Sequence, residues 1–109
     1  MEAHFKRPFS QYVKKARKPL QLAIKDEVDL VCALPEIGKL KIADLAGIRV
    51  HKFQFNRQNY LMAYRLSEQD PSNLFLMIDF YQVGSHENFY DDLKRYLKHE
   101  RHLGANPWL

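Results

Sequence analysis

The fold is decided by residues 74–97, LFLMIDFYQVGSHENFYDDLKRYL. Residues 74–83 are apolar on both alternating faces, which predicts a central strand covered from both sides. Gly84 follows this strand, and Ser85 is a residue type that caps helices. We therefore predict that the chain turns here into a C-terminal helix from about residue 86 to residue 99. The apolar spacing places four large side chains on its buried face: Phe89, Leu93, Tyr96 and Leu97.

Two further strands precede this one along the chain. Residues 48–55 and 60–66 alternate apolar and polar side chains, with short turns at residues 56–59 and 69–73. The alternation breaks at His51 and Lys52, which favours a β-bulge. Together with residues 74–83, these strands predict an antiparallel meander.

The first third of the sequence predicts a helical hairpin. Apolar residues from Phe9 to Ala16 have helical spacing, and Pro19 suits the first turn of a second helix. Apolar residues then recur every three or four positions up to Leu34, and Pro35 and Gly38 end the helix. The remaining segments are a connector at residues 39–47 and tails, expected to be loose, at residues 1–8 and 100–109.

This order of elements predicts the fold class. Two helices, three strands and a final helix indicate an α+β fold, in which an N-terminal helical hairpin packs on a small twisted antiparallel sheet and a C-terminal helix follows. We expect the helices to lie on one side of the sheet. A chain of 109 residues can form one domain with a single core.

The composition limits the class of function. Lysine and arginine number 17 against 13 acidic residues, and the net charge of +4 favours an anionic partner, either nucleic acid or an acidic protein. With Cys32 as the only cysteine, an intramolecular disulfide is impossible and a cysteine-based zinc site is unsupported. The histidines are scattered and no glycine-rich phosphate loop occurs, so we predict no metal site and no cofactor. An apolar signal-peptide core and a membrane-spanning run are also missing, and we expect a cytoplasmic protein.

His86 and Tyr90 are the candidate catalytic residues. Their spacing of four residues places an imidazole and a phenol on one face of the predicted helix. Cleavage of RNA at a 2′-hydroxyl requires one group to take that proton and another to protonate the leaving oxygen, and both side chains can carry a proton. The alternative interpretation is structural, with His86 capping the helix and Tyr90 half-buried.

A second candidate site is a group of cations on the first two predicted strands. Such side chains neutralise phosphates, and arginine can do so with paired hydrogen bonds. The group comprises Arg49, His51, Lys52, Arg57 and Arg65. A solvated strand face is the alternative interpretation.

Three segments of the sequence can be compared with known families: L-x-G-x-R-V-x-K-F at residues 45–53, Y-L-x-A-Y-R at 60–65 and G-x-H-E-N-F-Y-x-D-L-K-R-Y at 84–96. Together they resemble the RelE/ParE superfamily of type II toxin–antitoxin toxins. The likeness covers about residues 9–98. It implies a helical hairpin on a small antiparallel sheet, completed by a C-terminal helix, and a cognate antitoxin as partner. Members either cleave mRNA on the ribosome without a metal or inhibit DNA gyrase.

The resemblance carries over to the site only in part. Lys52 matches one of the strand lysines of RelE-type nucleases, while the other position holds Gln54. Their strand arginine is replaced by Leu61. The position after the last strand, often arginine, holds His86, and Tyr90 approximately matches the tyrosine of the final helix.

Three hypotheses follow, and they leave open whether the protein is an enzyme. In the first, it is a ribosome-dependent mRNA endonuclease, with His86 as general acid or base and Tyr90 supporting it. Arg49, Lys52 and Arg65 then bind phosphate. In the second, it is a ParE-like inhibitor of DNA gyrase without chemistry of its own. In the third, it is an inactive homologue that binds only its antitoxin.

Overall fold

The structure, a computed structural model, describes residues 2–68 and 76–104, which form a five-stranded sheet with helices on both faces. The strands are β1 (Glu2–Phe5), β2 (Lys39–Leu40), β3 (Arg49–Phe55), β4 (Gln58–Glu68) and β5 (Leu76–Ser85). The helices are α1 (Arg7–Lys15), α2 (Lys18–Ala33) and α3 (Phe89–Gly104), with a short 3₁₀ helix at Ala43–Leu45. The predicted turn at residues 69–73 and residues 105–109 of the predicted C-terminal tail lie outside the described residues.

The order of strands across the sheet is β1-β5-β4-β3-β2. The predicted antiparallel meander of β3, β4 and β5 is confirmed. The sheet as a whole is mixed, however, because β1 pairs in parallel with residues 77–80 of β5. The prediction of a purely antiparallel sheet was therefore wrong.

The N-terminal residues are not a loose tail. The Phe5 ring lies 5.2 Å from the ring of Phe9 and 5.3 Å from that of Phe80, and this contact secures β1 at the sheet edge. The helical hairpin of α1 and α2 is present, but this strand precedes it. At the other end, α3 continues to Gly104, so the tail expected from residue 100 is helical as far as that residue.

The sheet has two buried faces rather than one. One face packs against the α1–α2 hairpin and the other against α3, so the prediction that all helices share one side was wrong. The hairpin face buries Phe9, Ile24, Val28, Val31, Phe53, Tyr60, Met62, Tyr64, Ile78, Phe80 and Val83. The α3 face buries Leu45, Ile48, Val50, Leu61, Ala63, Tyr81, Phe89, Leu93 and Leu97. Each large side chain contributes about 1.5–3 kcal/mol when fully buried, so neither face of this sheet is stable without its cover.

The predicted bulge at His51 and Lys52 is not present. Pairing of β3 with β4 is continuous from Arg49 to Phe55. His51 is buried on the hairpin side, where its Nε2 lies 2.8 Å from Glu27 Oε1, while Lys52 is exposed on the α3 side. The apolar residues of β3 do not follow one alternating pattern because Val50 and Phe53 belong to the cores on opposite faces of the sheet. A register shift occurs instead between β4 and β5, next to Ala63.

Tyr64 ties the turn between α2 and β2 to the centre of the sheet. Its hydroxyl donates to the Pro35 carbonyl at 2.7 Å and accepts from the Gly38 N–H at 2.8 Å. A Cβ atom at Gly38 would lie 2.7 Å from the Tyr64 hydroxyl oxygen, so glycine is required there. Arg49 adds a hydrogen bond to the Gly38 carbonyl at 2.9 Å. These bonds fix the start of β2.

A second cluster attaches the C-terminal half of α3. Tyr81 is buried, with the Lys6 ammonium and the Arg65 guanidinium each 5.6 Å from its ring centroid. Glu100 accepts a hydrogen bond from the Tyr96 hydroxyl at 3.2 Å and pairs with Lys6 at 3.2 Å. Burial raises the pKa of Tyr81 to about 12, although Arg65 acts in the opposite direction.

Replacing Tyr64 by phenylalanine is expected to lower the free energy of unfolding by about 1–3 kcal/mol, because it leaves the half-buried Pro35 carbonyl and the buried Gly38 N–H without their partner. Tyr60→Phe is the matched control, since the Tyr60 hydroxyl makes only a 3.3 Å bond to Gln58. Urea denaturation of both variants measures the difference. Equal losses in the two variants would contradict this role of Tyr64.

The Tyr81 hydroxyl is expected to make stability depend on alkaline pH. Its contribution is complete below pH 10, where both states keep the proton, and is lost between pH 10 and about 12, because only the unfolded state then ionises. In this pH range, Tyr81→Phe should release about one proton fewer on unfolding, so that its free energy of unfolding falls less steeply with pH. Urea titrations at several pH values test this, and identical slopes for the two proteins would refute it.

Candidate functional site

A tight turn between β5 and α3 places His86. β5 ends at Ser85 and α3 begins at Phe89, so Ser85 does not cap the helix and His86 does not open it. Asn88 adopts a positive φ of 59°, and its carbonyl accepts from the Asp92 N–H at 3.0 Å as the helix starts. The turn is rigidly held, because Phe89 is buried and its carbonyl accepts a bond of 2.9 Å from the Gln82 side chain.

His86 and Tyr90 lie together at this corner. Their ring centroids are 6.0 Å apart at an interplanar angle of 75°, and the Phe89 ring flanks Tyr90 at 5.4 Å. His86 is exposed and Tyr90 is half-buried. The predicted proximity is present, but a turn produces it rather than helical spacing. An exposed imidazole beside an anchored phenol can exchange protons with a bound molecule.

Lys41, which no sequence pattern indicates, completes the corner from the connector. Its ammonium lies 5.2 Å from the centroid of the Tyr90 ring. The Lys41 N–H donates to the Ile48 carbonyl at 2.8 Å, directly after the pairing of β2 with β3. No spacing rule indicates this contact, because it depends on where α3 crosses the sheet.

Lys52 lies on the same face of the sheet. Its pairing partner is Leu61, which in turn pairs with Gly84. Lys52 is therefore two strand spacings, roughly 10 Å, from Gly84, which lies two residues before His86. We define the candidate site as the four polar residues on this side: Lys41, Lys52, His86 and Tyr90.

The structure does not bring the other predicted cations to this site. Arg49 points to the hairpin side and binds the carbonyls of Glu36 and Gly38, so the regular alternation of β3 separates it from Lys52. Arg65 lies on the α3 side but near the other end of α3, against Tyr81. His51 is buried and Arg57 is exposed in the β3–β4 turn.

The chemistry of the site follows from these residue types. It offers one imidazole, one phenol and two ammonium groups, and neither lysine forms an ion pair with any residue that the structure describes. Residues 2–68 and 76–104 also contain no cluster of three or more potential metal ligands. The site is suited to proton transfer and to binding an anion such as phosphate.

Comparisons with known proteins agree with this fold. The crystal structure of the intact E. coli RelBE toxin–antitoxin complex is similar, with a TM-score of 0.59 and 15% identity over 79% of this chain and 96% of the other. The isolated E. coli RelE toxin gives a TM-score of 0.57 and 15% identity over 87% and 97%. At this level of identity, the likeness shows a shared fold.

Three further findings concern the sequence and its helices. No curated protein matches the sequence. Within the described part of the chain, the helices are too short or too polar to cross a membrane. Residues 4–94 match the family model of the ParE-like toxin of type II bacterial toxin–antitoxin systems. The chain therefore belongs to this toxin family.

Proposed function

We propose that this toxin is a metal-independent, ribosome-dependent mRNA endonuclease that inhibits translation. The observation that carries the proposal is the exposed His86 imidazole, held edge-on against Tyr90 beside cations with no carboxylate partner in the described chain. Such a corner supplies a proton carrier and positive charge at one place, which RNA cleavage requires. The similar fold of the RelE toxin supports the assignment.

The reaction proceeds at a phosphodiester bond of the bound message. The 2′-oxygen attacks the adjacent phosphorus and loses its proton to a general base, while the bond from phosphorus to the 5′-oxygen breaks. The leaving 5′-oxygen takes up a proton, which gives a 2′,3′-cyclic phosphate and a 5′-hydroxyl end. His86 acts as the acid or the base, because an imidazole exchanges protons near neutral pH. Tyr90 orients it, and Lys52 binds the phosphate.

A cognate antitoxin is the protein partner that we propose. The similar RelBE structure is that of a toxin with its antitoxin, and a net charge of +4 favours an acidic partner for this chain. An antitoxin segment over Lys41, Lys52 and His86 would neutralise the site directly.

Inhibition of DNA gyrase is the alternative function. The resemblance places Gln54 and Leu61 at positions where RelE-type nucleases carry a lysine and an arginine, which implies that this site has fewer strand cations than theirs. The family model that matches is also named ParE-like. A gyrase supercoiling assay distinguishes the two functions, because purified protein that leaves supercoiling unchanged would count strongly against this alternative.

Substituting His86 by alanine is expected to lower the rate of ribosome-dependent mRNA cleavage by about 10²- to 10⁴-fold, the usual contribution of a general acid or base. Tyr90→Phe keeps the aromatic contact and loses the hydroxyl, so a smaller loss is expected. Single-turnover cleavage of mRNA on purified ribosomes measures both effects.

His4→Ala provides the matched control for this experiment. His4 is an exposed histidine in β1, beside Glu2 and away from the α3 corner, and its loss should leave cleavage unchanged. Full activity in the His86→Ala variant would show that this histidine has no catalytic role.

A further inference from the structure

We propose that Lys41 is a phosphate-binding residue of this site, a cation supplied by the connector instead of by the sheet. The proposal rests on the proposed nuclease function. Its basis is the position of the Lys41 ammonium, 5.2 Å from the centre of the Tyr90 ring, which itself lies 6.0 Å from the His86 ring. Lys41 and His86 thus both lie against the Tyr90 ring, and an RNA backbone that passes over this ring would meet both side chains.

The backbone holds Lys41 in this position independently of any ligand. Lys39 and Leu40 pair with Val50 and Arg49, and the Lys41 N–H bonds to the Ile48 carbonyl at 2.8 Å. At the preceding turn, the Tyr64 hydroxyl holds the Gly38 N–H at 2.8 Å. Only the side chain of Lys41 has to be ordered when an anion binds, and this keeps the entropic cost of binding low.

The charge of Lys41 is also available to an anion. Lys6, Lys25 and Arg95 each pair with a carboxylate, whereas Lys41 forms no ion pair with the described residues. Its contact is with an aromatic face, which attracts the ammonium through the ring quadrupole and occupies none of its oxygen-binding positions. An ammonium has three N–H donors, and these remain able to bind phosphate oxygens.

Lys41 adds a second cation to a corner at which the strands supply one. Leu61 is buried, and Gln54 is exposed but neutral, so the α3 side of β3 and β4 offers Lys52 alone near the His86 turn. Lys41 approaches the same corner from β2, at the opposite edge of the sheet from β1. The two lysines would bind the message on two sides of the reacting group.

Three variants test the proposal in the full chain: Lys41→Ala, Lys41→Arg and Lys39→Ala. Lys39→Ala removes the same charge two residues away, from an exposed side chain that is not part of the site. We expect Lys41→Ala to reduce single-turnover cleavage on ribosomes by about 10- to 100-fold, as for a lost hydrogen bond to a charged group. Lys41→Arg should retain most of the rate, and Lys39→Ala should change it less than about twofold.

A second measurement separates phosphate binding from a structural role. The probe is a short single-stranded RNA with methylated 2′-hydroxyls, which cannot be cleaved, and its affinity is measured by fluorescence anisotropy over a range of salt. For single strands, each phosphate contact contributes about 0.7 to the slope of log affinity against log salt. Lys41→Ala should lower the slope by about this amount, whereas Lys39→Ala should leave the slope nearly unchanged. The melting temperatures of both variants should stay close to that of the wild-type protein.

The outcomes distinguish this proposal from the nuclease assignment. If the wild-type protein cleaves and Lys41→Ala cleaves equally well, or if Lys39→Ala loses as much activity, the role of Lys41 is refuted while the nuclease stands. If the wild-type protein leaves mRNA intact on ribosomes, the proposed function fails, and the salt slope alone shows whether Lys41 binds phosphate. An unchanged slope in Lys41→Ala, or wild-type protein that does not bind the RNA probe, overturns the proposal.

Discussion

The continuous pairing of β3 with β4 is the constraint on which the rest of the structure depends. From Arg49 opposite Tyr64 to Phe55 opposite Gln58, no residue is inserted, so successive side chains alternate strictly between two faces. Both faces carry large apolar residues, and each therefore needs its own covering layer. The hairpin covers one face and α3 covers the other. A shift of one residue would exchange the two sets of side chains and destroy both cores.

This arrangement also determines where the polar residues lie. The α3 side receives Lys52, while Arg49 faces the hairpin and binds carbonyls of the turn between α2 and β2. Phe89 anchors the start of α3 in the second core, which fixes Tyr90 and the turn that carries His86. The candidate site is thus built from three separate parts of the chain, each positioned by backbone hydrogen bonds or a buried anchor. A site of this kind is preorganised, so little rearrangement is needed when a ligand binds.

Much of this fold follows from the sequence alone. The two helices of the hairpin, the three-stranded meander and the apolar face of α3 all have clear periodicity, and the structure contains them. The apolar run at residues 74–83 predicted a strand covered on both sides, and β5 contributes to both cores. β1 was missed because a four-residue strand has little pattern of its own. It forms by pairing with β5, more than half the chain away.

The site was less predictable, for physical reasons that differ between residues. His86 and Tyr90 are in contact, but the left-handed backbone of Asn88 precedes a helix that begins at Phe89, so helical spacing does not produce this contact. Arg49, Lys52 and Arg65 were grouped because they lie on neighbouring strands. The alternation of side chains places Arg49 on the other face from Lys52, and Arg65 lies farther along the sheet, against Tyr81. No pattern in the sequence indicates that Lys41 belongs to the site, because its contact with Tyr90 arises only when β2 and α3 are placed on the same sheet.

The central claim, cleavage of translated mRNA, is tested most directly by mapping transcript ends after brief induction of the toxin. Two reporter messages should be compared that differ only in whether their start codon is intact. The account predicts cuts within the codons of the translated message and none in its untranslated counterpart. Growth arrest with both messages intact would contradict it and would favour gyrase or another protein as the target.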